Sequence, residues 1–459
     1  SSAASNQLSN TTGTVTFNSL NWVIPAGATK TLGVKVNLGA NALADTDYFS
    51  FDINATGDVT ALDSSSKTVN AGNSDPNGTT PTVKVTVTNA GTMTTAVSAS
   101  TPSDHAAYWG QLGDGIGSWR FTVANEGFYL EKLQFNEDDA GQRTDVTNNI
   151  KTVYLAYKNK AGSTVTTSST FNSVASVAFG FTGDNRPYVP KDGSLDVVMS
   201  ADFKTKAEGA TTASQSVDFF DISFNGQSGA GDATFRAVGE GSGTILNGSD
   251  TGITDRDQTT AVRVYRVFPE FALVAPVATK LSSVDPVLTF TVTAKGLADS
   301  TLFFDNLAVG SGSIRFEVVA SGVGTTADTA FTVRDAADSS IVDTGTITNA
   351  PATAPKASLS IDFTSKDIEI SGGLSKTFKI YLDSITDFNT PLNSSAGVGA
   401  DYFQLVLRDE NDGTNSLVSW VDNSTSATTD KDTTWDGTVG FASGFFRLLP
   451  LAGYQFTAQ

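Results

Sequence analysis

Cysteine is absent from this 459-residue chain, histidine occurs once (His105) and methionine twice. Zero cysteine removes disulfides, thiolate nucleophiles, iron–sulfur ligation and Cys-based zinc sites together. Basic residues are also scarce, 29 against 48 acidic ones, for a net charge of −19 and a pI near 4.4. Such a field repels nucleic acid and anionic lipid, which makes both poor partners. Long apolar runs are missing as well. The most apolar stretch near an end, Phe441 to Phe456, is interrupted by Gly444, Arg447, Pro450 and Gly453, so nothing reaches the ~18 residues of a membrane-spanning helix. Because the sequence opens at Ser1, a signal peptide or further upstream chain is expected.

What is present is a strand and turn vocabulary. Hydrophobic content is 39 %, with 29 Phe and 42 Gly, enough to fill a core and too much for global disorder. Apolar residues alternate with period two: Leu32, Val34, Val36 and Leu38; Leu195, Val197, Met199 and Ala201; Phe378, Ile380 and Leu382. Helical periodicity is nearly lacking. The expected fold class is all-β, tandem antiparallel Ig-like β-sandwich modules in a linear array.

The modules announce themselves by repetition. Tyr265-Arg266-Val267-Phe268-Pro269 recurs as Phe446-Arg447-Leu448-Leu449-Pro450, with the prolines 450 − 269 = 181 residues apart. The second half of a unit occurs three times, each with a turn before a strand and then an Asp-aromatic-aromatic segment. The turns are Ile24-Pro25-Ala26-Gly27, Val189-Pro190-Lys191-Asp192-Gly193 and Ile370-Ser371-Gly372-Gly373; the segments are Asp47-Tyr48-Phe49, Asp218-Phe219-Phe220 and Asp401-Tyr402-Phe403. The first half occurs twice, with Leu130, Leu133 and Phe135 matched to the segment Leu302–Leu307. Four parts follow: 1–101, a partial β-sandwich; 102–268 and 269–449, complete units; and 450–459, the start of a next unit. The expected ~180-residue period exceeds the ~100 residues of a seven-stranded sandwich, so extra strands are anticipated.

A half sandwich exposes open edges that something must cover, either more upstream chain or a neighbouring molecule. Leu451, Tyr454 and Phe456 form the candidate donor strand, and Val15 and Phe17 mark the candidate acceptor sandwich. The same segment folded back on its own unit is the plainer alternative.

The turn and strand signatures Ile24–Leu32, Gly91–Pro102, Phe121–Glu126 and Val264–Pro269 together resemble a family of tandem β-sandwich surface proteins from bacteria of the candidate phyla radiation. That resemblance implies an exported, S-layer-like or filament-forming protein and carries over no active-site residues. The middle unit departs from it, with Pro190-Lys191-Asp192-Gly193 in place of a Pro-x-Gly turn.

Chemistry is thinly signalled. His105 beside Asp104 is expected to be a solvent-exposed loop residue, and no catalytic residue or required cofactor is assigned. The glycine string Gly239-Glu240-Gly241-Ser242-Gly243 precedes no helix, which removes the context for a phosphate cradle. Asp255, Asp257, Asp430 and Asp432 stand at equivalent places before each Arg-x-x-Pro junction and are the candidate Ca²⁺ ligands. Glu137-Asp138-Asp139 reads as a solvated loop. Trp109, Trp119, Trp420 and Trp435 are candidate sugar-stacking residues, with Trp119 assigned to the core by its alternation with Phe121.

The function expected is that of a non-enzymatic structural protein at the extracellular cell surface, assembling with copies of itself through head-to-tail strand contacts. The alternative is an adhesin or carbohydrate-binding stalk, with glycans as partners.

Overall fold

A computed structural model describes residues 14–18, 20, 22–36, 48–51, 59–70, 85–86, 91–137, 143–208, 218–227, 233–255, 260–304, 313–321, 329–347, 358–363, 366–385, 402–408, 418–420 and 449–457. The fold is all-β and almost wholly antiparallel, with one short α-helix, Arg143–Asn149, among the described residues. The chain divides into a unit at 1–89 and a unit at 90–459.

The larger unit holds two hydrophobic cores, each pressed between two sheets. In the middle module a five-stranded sheet runs in the order Thr164–Ser169, Ile150–Lys158, Ser194–Phe203, Asp114–Ala124, Thr92–Val97. Its alternating apolar residues face a six-stranded sheet centred on Phe128–Asn136. Trp119 meets Phe135 across the gap at 4.6 Å between ring centroids, and Phe121 meets Phe224 at 5.4 Å. The C-terminal module repeats this: Ile341–Ile347, Thr329–Asp335, Ser375–Leu382, Leu288–Gly296 and Val267–Leu273 form the five-stranded sheet. Phe290 packs on Phe316 of the opposing sheet at 5.4 Å.

The expected strands at 195–201 and 378–382 are therefore core strands, with one face buried throughout. One expected boundary, 268/269, falls inside the paired strand Val267–Leu273. Thr92–Val97 is hydrogen-bonded to Asp114–Ala124 and belongs to the middle module, although the sequence division left it in 1–101. Leu451–Ala452 and Phe456–Thr457 pair with Tyr402–Leu407 of the C-terminal module.

The internal alignment also shifts. Leu133 and Phe135 face Phe179 and Val177 across the ladder, while Ile314 and Phe316 face Ile361 and Leu359. The true counterparts of Leu133 and Phe135 are thus Ile314 and Phe316. The single strand Phe128–Asn136 becomes two in the C-terminal module, Thr301–Phe304 and Ser313–Ser321. Chain added between them hides the match from a gapless reading.

All three turns of the repeat close by a backbone bond: Ala28 N to Pro25 O, Gly193 N to Pro190 O, and Leu374 N to Ser371 O. Gly27 and Gly373 take the left-handed conformation there, at φ 72° and 80°. In the middle copy Asp192 takes it, at φ 54°, and its carboxylate accepts the N–H of Asn125 at 2.8 Å. Aspartate visits this region more readily than most residues, so the departure in sequence leaves the turn intact.

The unit at 1–89 is different. Tyr48–Phe49 pairs with Val85–Thr86, in the manner of Asp218–Phe220 with Val262–Tyr265. The described part of the expected strand at 32–38, however, is in no ladder, and Leu32, Val34 and Val36 are exposed.

Candidate functional site: the module joint and the terminal strand slot

Two places concentrate the residues that the sequence singled out. The first is the joint between the middle and C-terminal modules. Val262–Tyr265 is buried at every position and runs into Val267–Leu273 with only Arg266 between them. Tyr265 lies 5.9 Å from Phe268 and 5.4 Å from Trp420, whose indole N–H donates to the Val267 carbonyl at 3.0 Å. The Arg266 guanidinium sits 4.9 Å over the Trp109 ring, a cation–π contact. Gly110, at φ 79°, lets Leu297 approach: a Cβ there would stand 2.7 Å from Leu297 Cδ1. Pro269 occupies the edge strand of its sheet, where a missing N–H is tolerated.

The same joint corrects the expectation for the lone histidine. His105 is 1 % exposed and begins the strand His105–Tyr108, parallel to Val262–Tyr265. Its Nε2 lies 2.6 Å from Asp114 Oδ2 and its Nδ1 2.9 Å from the Ser103 carbonyl. Gln111 donates to Asp114 Oδ1 at 2.7 Å. Asp104, the sequence neighbour, instead accepts the Ala261 N–H at 2.7 Å. Successive residues of an extended chain point to opposite sides, so the buried partner comes from nine residues on rather than one. The ring fastens a loop; the groups it meets are a carboxylate and a carbonyl oxygen, not a nucleophile.

The aromatics offered for sugar stacking are also corrected. Trp109 and Trp420 are buried, Trp119 is a core residue as its alternation with Phe121 indicates, and Trp435 lies outside the described residues. On the outer face of the middle module a different pair emerges. Tyr129 and Tyr188 stand 5.0 Å apart, with Arg186 4.2 Å over the Tyr129 ring. The hydrogen bond to Glu240, with burial and the nearby negative charge adding to it, pushes the Tyr188 phenol up to about 12. The corresponding C-terminal pair is Phe303 opposite Glu369.

Of the candidate calcium ligands, Asp255 accepts the Gln227 N–H at 2.6 Å. Asp257, Asp430 and Asp432 lie outside the described residues. Among the described residues no three His, Asp or Glu side chains converge as a metal site. Glu137, read as solvated, is fully buried and accepts the Asp221 N–H at 2.9 Å; Asp138 and Asp139 lie outside the described residues.

Sequence reasoning missed one anion cradle. The Gly239–Gly243 string turns a hairpin whose Gly241 and Ser242 N–H groups both donate to Glu126 Oε2 at 3.0 Å. Burial pushes the Glu126 carboxyl up, but bonds from the Ser242 hydroxyl and the Ser242, Gly241 and Gly91 N–H groups outweigh it and hold the carboxyl below its ordinary range. The anion bound by the glycine loop is a side chain of the protein, 115 residues away.

The second place is the slot beside Tyr402–Leu407. Leu451–Ala452 and Phe456–Thr457 lie antiparallel to it, and Thr457 bridges in parallel to Lys280. Thr457 N donates to Thr279 O at 2.8 Å and Leu281 N to Thr457 O at 3.0 Å. Phe456 is 2 % exposed, inside the core of its own module; Leu451 packs against that core and Tyr454 is 40 % exposed. The candidate donor strand is therefore docked within its own chain. Of the candidate acceptor residues, Val15 is half-buried and Phe17 exposed.

No family model matches the chain, and no curated protein matches it. Among solved structures it is similar at 9 % identity to a Bacteroides uniformis beta-glucuronidase, over 68 % of this chain and 26 % of that one, with a TM-score of 0.14. A calcium-binding mutant of Bacteroides uniformis beta-glucuronidase 2 gives 9 % identity over 83 % and 31 %, also with a TM-score of 0.14. A mutant of Bacillus subtilis oxalate decarboxylase gives 9 % over 59 % and 69 %, with a TM-score of 0.08. The chain spans under a third of the length of the two glucuronidases. Superpositions this poor bear on neither the fold nor the function.

Proposed function

We propose that this chain is a non-enzymatic structural protein of the extracellular cell surface, built to assemble with copies of itself into a layer or filament through strand contacts. The observation that carries the reading is the repeated module with its strand-continuous joint. Two sandwiches use the same strand order, and one extended segment, broken only at Arg266, serves the last sheet of one and the first sheet of the next. Stiff repetition of this kind suits load-bearing arrays. The exposed apolar residues Trp22, Ile24, Leu32 and Val34 of the 1–89 unit supply a surface for a partner strand. Ca²⁺ at the acidic clusters around Asp255 and Asp430 is part of the same proposal, and would stiffen the joints.

Electron microscopy of the protein at rising concentration, with calcium or with a chelator, tests it. Ordered filaments or sheets are expected, and dispersed particles under every condition would refute it. A second reading, an adhesin or glycan-binding stalk, draws on the Tyr129–Tyr188 pair, which has no aromatic counterpart pair in the C-terminal module. Glycan-array binding that is lost in Tyr188→Ala would favour that reading.

A further inference from the structure

The slot filled by the terminal strand has a counterpart in the middle module, and the two are filled by different parts of the repeat. In the middle module Val262–Tyr265 lies antiparallel to Asp218–Phe220 and parallel to His105–Tyr108. In the C-terminal module Phe456–Thr457 lies antiparallel to Tyr402–Phe403 and parallel to Lys280. By sequence, however, Leu451–Thr457 follows the second Arg-x-x-Pro signature and so corresponds to the residues after Pro269. Those residues pair forward, with Leu288–Gly296 of the following module. One element of the repeat thus has its backbone satisfied in two ways: forward by a following module, or backward by the module it leaves.

We propose that the groove between Tyr402–Leu407 and Thr279–Leu281 is a strand-accepting site, and that its occupant in the assembled state is Leu451–Thr457 of a second copy of this chain. The proposal rests on the structural reading above and replaces its acceptor, moving it from the 1–89 unit to this groove.

Three features favour exchange. The strand is anchored chiefly by one side chain, Phe456, with Leu451 half-buried and Tyr454 exposed. Its middle is a close backbone approach: Gly453 N donates to Leu405 O at 2.8 Å, Gly453 O accepts from Gln404 Nε2 at 2.6 Å, and a Cβ would stand 2.6 Å from Leu405 O. A groove read mainly through backbone groups and one apolar pocket takes the same strand from any copy. Finally, exchange reproduces the internal contacts one for one, so only concentration and the connecting chain set the balance. Residues 421–448 precede the strand, a length that can span at most about 95 Å. A covalent tether gives an effective concentration on the order of millimolar. Copies packed at that density in a layer or filament would compete on equal terms.

The absence of cysteine makes the test clean. Tyr402 and Thr457 are opposed across the antiparallel ladder, at a spacing that suits a disulfide. Copies carrying Tyr402→Cys alone are mixed with copies carrying Thr457→Cys alone and oxidised mildly, and the double variant is oxidised in parallel when dilute. The expected result is a disulfide-linked heterodimer in the mixture, rising with concentration, and an internal bond in the dilute double variant. Loss of the heterodimer at millimolar concentration, with the internal bond still forming, overturns the proposal. Failure of the internal bond overturns it too, since the groove would not hold this strand. Ordered assemblies seen by electron microscopy without the heterodimer would leave the structural reading standing and remove this acceptor.

Discussion

The middle and C-terminal modules share their strand order but close it differently, and the difference separates what the fold specifies from what it merely accepts. In the middle module the slot strand, Val262–Tyr265, is buried at every position and continues directly into the next sheet. In the C-terminal module the same slot holds a strand arriving after residues 421–448, pinned by Phe456. What both keep is the acceptor: Phe220 and Phe403 point into their cores from the same ladder position, and their neighbours Phe219 and Tyr402 sit half-buried outside. The Asp-aromatic-aromatic strand defines the slot, and the inserted strand needs only an extended backbone and one or two apolar anchors.

The largest expected effect breaks the weaker closure. Phe456→Ala should destabilise the C-terminal module by about 3 kcal/mol, the typical loss for a buried phenylalanine, and leave the middle module unchanged. Chemical denaturation followed through Trp420, against Trp109 and Trp119, would resolve the two. His105→Ala acts on the other side of the comparison. It leaves Asp114 buried with one donor fewer, so the middle module should lose about 2–3 kcal/mol while the C-terminal transition stays in place.

Gly453→Ala should cost about 1–3 kcal/mol, because its methyl group would press on the Leu405 carbonyl. Hydrogen exchange at Leu281 and Thr457 would report the loosened slot. Acidification sharpens the comparison without mutation. Glu126 is held below its ordinary range in the folded state, so its contribution is whole above the normal carboxylate range and is lost as pH falls through the folded value. The middle module should therefore soften on the acid side more than a Glu126→Gln variant does, as read by thermal melts across that window. Smallest of all, Arg266→Ala at the joint should cost about 0.5–1 kcal/mol, with the angle between the two modules changing more than either melting point in small-angle scattering.

The period-two alternation made the core strands legible, because burying one face of a sheet leaves its mark on every second residue. The turns were legible for a similar reason: a left-handed position selects glycine, and where Asp192 takes it a carboxylate supplies compensation. Long-range polar pairing left no such mark. Glu126 with Gly241, and Asn149 with Asp218 at 2.5 Å, join residues 115 and 69 positions apart, and nothing periodic announces them. His105 reads as an exposed loop residue because the conspicuous neighbour, Asp104, turns away while its partner, Asp114, opens the next strand. For the terminal strand the sequence leaves two pairings open, forward into a neighbouring molecule or back onto its own unit. Burial of Phe456 drew it back, and a sequence pattern does not encode which of two equivalent edges lies within reach.

Assembly by strand exchange requires that strand to leave its own module. The direct measurement is electron microscopy of the variant carrying both Tyr402→Cys and Thr457→Cys, oxidised so that the strand is locked in its own groove, then reduced. Dispersed particles when locked and ordered filaments or sheets when reduced are the predicted result. Equal assembly in both states, or none in either, would contradict it.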